Sequence, residues 1–121
     1  MQTALNAIFA LELALLFTHE MDAIRRQEWK LFIVLKDLDD EKAYQIFTML
    51  HIPLYATIMF VLFSDWSVIG LYVMDVFLLA HMLVHWGFRK HQANNLNNGL
   101  SKGIIYFAGI LALFHLLAIS L

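Results

Sequence analysis

Nine ionisable side chains interrupt stretches of this chain that are otherwise apolar: Glu12, His19, Glu20, Asp22, His51, Asp75, His81, His85 and His115. His81 and His85, in His-Met-Leu-Val-His, are four residues apart. On a helix that spacing presents two imidazoles on one face. His19 and Asp22 are three apart and converge in the same way, and Glu12 shares their face. Imidazole combined with carboxylate suits zinc, iron or manganese, and a chain without cysteine has no thiolate site to offer. The candidate metal ligands are His19, Asp22, His51, His81 and His85. A mononuclear site using three of them keeps one position for water, whose pKa the metal lowers towards about 7. Glu20 is the candidate general base, although on an ideal helix it points about 100° away from His19. So many ligands could also serve two metals.

These residues need elements that hold them in a membrane. The chain has 121 residues, enough for one domain, with 61% apolar residues and a mean hydropathy of +0.69. That exceeds what a soluble domain of this size tolerates. Four apolar stretches, at about 3–23, 44–63, 67–88 and 103–121, match the roughly 20 helical residues that cross a hydrocarbon core. The expected fold is therefore all-α, a polytopic four-helix transmembrane domain. No Gly or Pro occurs before residue 53, so the first helix is expected to continue as an amphipathic interfacial helix over 24–36. Asp39 or Asp40 can N-cap the second span. Residues 64–66 form a tight hairpin, and 92–101 read as a polar loop. Trp66 suits one aromatic belt, and Trp29 and Trp86 the other.

All eight Lys and Arg residues fall within 25–42 and 89–102. The positive-inside rule makes both basic connections cytoplasmic and places both termini outside. The N-terminus has no basic n-region and Glu12 breaks its apolar run, so no cleavable signal peptide is expected. The net charge of −2 and the lack of a basic stripe argue against nucleic acid as a partner. Membrane lipids are the expected partners, with Arg25, Arg26 and Lys30 facing anionic headgroups. Gly70, Gly103 and Gly109 allow close helix approach and hence a homo-oligomer.

An ionisable residue inside a bilayer costs at least a few kcal/mol and so usually faces a partner or a water-filled cavity. A rise of about 1.5 Å per residue puts His19, Glu20, Asp22, His51, His81 and His85 in one layer near the cytoplasmic face. Glu12, Asp75 and His115 form a deeper layer, with His115 as a hydrogen-bond partner of Glu12 or Asp75. His51 precedes Pro53 by two residues, and the proline leaves the carbonyl of Met49 without its helical partner. His91 is expected to be solvated in the second basic connection.

His19-Glu20-Met21-Asp22-Ala23 with Glu28-Trp29 resembles a family of small bacterial integral membrane proteins of unknown function. The likeness continues through Leu50-His51-Ile52-Pro53-Leu54 and His81–His85 to Ser101-Lys102-Gly103. It implies a four-helix membrane fold; in a bacterial inner membrane, the termini that the charge distribution places outside are expected to be periplasmic. A looser resemblance is to intramembrane zinc hydrolases of the ceramidase and adiponectin-receptor type, which combine an H-x-x-x-H helix with a His and an Asp from others. Those proteins have seven spans and a Ser-x-x-x-His element with no counterpart here.

The expected function is intramembrane metal binding, extending to a metal-dependent hydrolase acting on a lipid-like substrate near the cytoplasmic leaflet. A b-type haem electron-transfer protein is one alternative, with His51 and His81 or His85 as axial ligands. A proton-linked channel or transporter using Glu12, Asp75 and His115 is another. A structural subunit of a larger membrane complex is the third. Against metal binding itself stands the reading in which His81 and His51 are hydrogen-bonded across helices and His19, His85 and the acids are interfacial polar groups.

Overall fold

The computed structural model describes residues 2–65 and 67–121. Trp66, expected in an aromatic belt, lies outside the described residues. The architecture is all-helical: α1 (Gln2–Arg25), a 3-10 turn (Glu28–Leu31), α2 (Asp40–Phe63), α3 (Ser67–Phe88) and α4 (Gly99–Ser120). Three helices, α2, α3 and α4, are long and apolar enough to cross a membrane. The fourth, α1, matches α2 in length at 24 residues, but Asn6, Glu12, His19 and Glu20 interrupt its apolar run.

Local chemistry explains the helix starts. Asp39, in an extended conformation, accepts a hydrogen bond from the Lys42 N–H at 3.0 Å and N-caps α2. Asn98 does the same for α4, accepting from the Ser101 N–H at 2.9 Å. That cap starts α4 at Gly99, inside the stretch expected to be loop. Pro53 lies within α2 without ending it.

The largest departure from expectation is at 24–36, where no continuous interfacial helix forms. α1 stops at Arg25, and Gln27 adopts a left-handed backbone conformation (φ 56°, ψ 46°) that reverses the chain. Lys30 Nζ donates to Gln27 Oε1 at 2.6 Å, bracing the reversal. The segment then proceeds by the 3-10 turn and further turns to Leu38. Its apolar residues still divide into two faces. Trp29 and Leu35 fold into a small core with Ala23, Ala43 and Phe47, whereas Ile33 and Val34 are exposed. Trp29 therefore packs between Tyr44 and Phe47 and not in an aromatic belt. Trp86 is exposed, with the Arg89 guanidinium 4.1 Å from its ring centroid.

The main core joins Phe9 and Leu16 of α1, Ile58 of α2, Met74 and Leu78 of α3, and Ala108 and Ala112 of α4. α4 packs closely along both α1 and α3, while α2 touches its neighbours more sparsely. Gly109 permits the α3–α4 approach, since a Cβ there would lie 2.5 Å from Met82 Sδ. Gly70 plays the same part between α2 and α3, against Val61. Two of the three glycines considered for oligomer contacts are thus used within the chain, and Gly103 faces open space.

Candidate metal centre

Three imidazoles point their Nε2 atoms at one another near the end of α1. His81 Nε2 lies 2.8 Å from His19 Nε2 and 3.1 Å from His85 Nε2. The ring pairs meet edge-on, with centroids 4.6 to 4.9 Å apart. Glu28 completes the group, its Oε2 3.5 Å from His19 Nε2 and its Oε1 3.4 Å from His85 Nε2. Ligand atoms from all four residues lie within 4.8 Å of one another, a group that could hold a metal ion. His19, Glu28 and His85 are buried.

Hydrogen bonding alone accounts poorly for this convergence. An imidazole Nε2 has either one hydrogen or one lone pair in the ring plane, so His81 can satisfy one neighbour well but not two. In a tetrahedral zinc site with ligands at about 2.0–2.1 Å, ligand atoms sit roughly 3.3 Å apart. The four separations here, 2.8, 3.1, 3.4 and 3.5 Å, bracket that edge. His19 Nδ1 and Glu28 Oε2 are also buried without a hydrogen-bond partner.

Of the sequence-derived ligands, His19, His81 and His85 are brought together. Asp22 and His51 are held elsewhere. Asp22 accepts a short hydrogen bond from Ser101 Oγ and lies 3.5 Å from Arg26 Nε, tying the end of α1 to the start of α4. Asn98 Nδ2 donates to the same Ser101 Oγ at 2.6 Å, so cap and tie form one network. His51 pairs with Glu20, Nε2 to Oε2 at 2.7 Å, while its Nδ1 lies 2.8 Å from the Phe47 carbonyl. A carbonyl only accepts, so Nδ1 carries a hydrogen; Nε2 and Glu20 then share one further proton. The rotation that carries Glu20 away from His19 on α1 is what aims it at α2.

Glu28 is the member that sequence reasoning missed. Had the helix continued past Arg25, residue 28 would have faced away from the cluster. The reversal at Gln27 turns it back beside His19. A glutamine carries no signal for a left-handed position, and only the Glu28-Trp29 pairing marked the site. Burial pushes the Glu28 carboxyl up, but its contact with His85 and the charges of His19, His85 and His81 outweigh this, and the net direction is down.

A cavity of about 310 Å³ opens beside this group, with Glu20, Glu28, His51 and His81 in its wall. Leu54 and Phe77 also line it, and they border a second cavity of about 190 Å³ between α2 and α3. The second is wholly apolar, walled by Ile58, Val61, Val73 and Met74 among others. His91 is exposed and accepts from the Ala93 N–H at 3.1 Å.

A deeper group joins three helices. His115 Nδ1 lies 2.9 and 3.1 Å from the two Asp75 oxygens and 3.9 Å from Glu12 Oε2. All three residues are essentially inaccessible.

Fold and site together define a helical protein with three membrane-competent helices and histidine–carboxylate groups buried among them. The chain belongs to a family of unknown function (DUF6713), whose family model matches residues 5–121. No curated protein and no solved structure matches it.

Proposed function

We propose that this is an intramembrane metal-binding protein with four spans, α1 included, whose metal is held by His19, His81 and His85 with Glu28 as the exchangeable fourth ligand. The observation that carries the reading is the convergence of three Nε2 atoms and one carboxylate from α1, α3 and the 3-10 turn. Neutral imidazoles and an ionised carboxylate are the donor set zinc prefers where no thiolate is available, with iron or manganese the other metals of this donor class. Glu20 and His51, facing the same cavity as Glu28 and His81, supply a shared proton beside the metal. A bound metal would supply Lewis acidity and a water ionised near neutral pH.

That pairing favours a metal-dependent hydrolase, with Glu20 as general base. The apolar cavity that continues from the site between α2 and α3 fits a lipid-like substrate entering from the cytoplasmic leaflet. The cytoplasmic placement rests on the basic residues flanking the site, Arg25, Arg26 and Lys30 on one connection and Arg89 and Lys90 on the other. In a bacterial inner membrane both termini would then face the periplasm.

The test is elemental analysis of detergent-purified protein with an absorption spectrum. A transition metal without a Soret band is expected, lost in His81→Ala and retained in His91→Ala. A Soret band would identify haem instead, and wild-type protein free of metal would overturn the proposal.

A further inference from the structure

We infer that Glu12, Asp75 and His115 form a second, independent divalent-cation site in the middle of the bundle. Every Lys and Arg lies within 25–42 or 89–102, so none is positioned to neutralise two carboxylates at this depth. Among the described residues the only ion-pair partner for either acid is His115. Glu12 is fully buried, and with both acids ionised neither of its oxygens has a hydrogen-bond partner. Its neighbour is the Asp75 carboxyl, with which it can only share a proton, and Oε2 points towards His115. A buried acceptor left unpaired is costly, and a cation bound between the three side chains would satisfy both oxygens. One ligand atom from each of Glu12, Asp75 and His115 lies within 4.8 Å of the other two.

The donor set indicates the ligand. Two carboxylates and one imidazole are harder than the histidine-rich group, and favour Mn²⁺ or Fe²⁺ over a softer ion. Each carboxylate can bind through both oxygens, so three side chains offer up to about five donor atoms. Two negative charges and a neutral imidazole would balance the dication, leaving the buried site with no net charge.

This site is separate from the first. Glu12 precedes His19 by seven residues on α1, about 10 Å along the helix, well beyond the roughly 3.5–4 Å of a two-metal centre. Leu16, Leu78, Ala108 and Ala112, all buried, fill the layer between them. Among the described residues none of the buried members of that cluster is ionisable, so neither site can borrow ligands from the other.

The experiment uses the full chain from cells grown with added Mn²⁺, purified in mild detergent, with metal counted by mass spectrometry and Mn²⁺ observed by electron paramagnetic resonance. Wild type should carry about two metal equivalents, because each preformed group binds its own ion. Glu12→Gln, which keeps shape, should lose the manganese signal and one equivalent while retaining the His81-dependent metal. Asp75→Asn should behave identically. His81→Ala should show the converse, so failure of the first site and of this one are distinguishable. Wild type with a single equivalent that His81→Ala abolishes would overturn the inference. So would Glu12→Gln retaining the full complement.

Discussion

At the scale of the residue, Glu28 matters most. Its lowered pKa means that its ionised form stabilises the folded chain. That contribution is fully present above the ordinary carboxylate value of 4.5 and is lost as the pH falls through the lowered one. In chelator-treated protein, Glu28→Gln should therefore flatten the acid limb of a plot of unfolding midpoint against pH. Metal retention should follow a different limb. Histidine ligands must be neutral to bind, so bound metal should be released where acid protonates them. Dialysis across a pH series with elemental analysis would separate the two limbs. Glu20→Gln should leave the metal in place, because its partner is His51 and not the ion.

At the scale of the element, the connection after α1 determines whether a site exists. A left-handed residue other than glycine costs about 1–2 kcal/mol, and a β-branched side chain is worse suited. Gln27→Val should accordingly lower stability beyond the strain Gln27 already bears and reduce metal content, since the reversal places Glu28; both are read in one preparation. Gly109→Ala should lower the unfolding midpoint by the equivalent of about 1–3 kcal/mol, because Met82 must move by more than its flexible end. The three apolar helices and the Asp39 cap were legible from hydropathy and capping chemistry. So was the meeting of His19, His81 and His85, because helical spacing and depth locate residues on straight elements. The reversal at Gln27 was not, because the usual punctuation of Gly or Pro is missing there. Misjudging that turn misplaced Trp29 as well as Glu28. Depth alone cannot say which neighbour a side chain faces, and Asp22 and His51 face Ser101 and Glu20.

At the scale of the whole molecule, the proposed four spans, with both basic connections on one side, would put the two ends of the chain together on the other. A reporter fused after Leu121 should be active outside the cytoplasm, and one inserted between Gln92 and Asn98 inside it. α4 acts as the spine, packed on α1 and α3, while α2 leans against them more loosely and borders both cavities. The layer of Leu16, Leu78, Ala108 and Ala112 has one more effect. Being apolar and buried, it would act as an insulator, and the voltage across an energised membrane falls mainly over insulating material. A full drop is worth about 2.3 kcal/mol per elementary charge per 100 mV. In the proposed orientation, charge moving from the cytoplasm to the Glu12 group would have to cross that layer and with it part of the field, whereas charge reaching His81 from the same side would cross little. The inner group would thus respond to solution conditions alone, and the buried one to the membrane's electrical state as well.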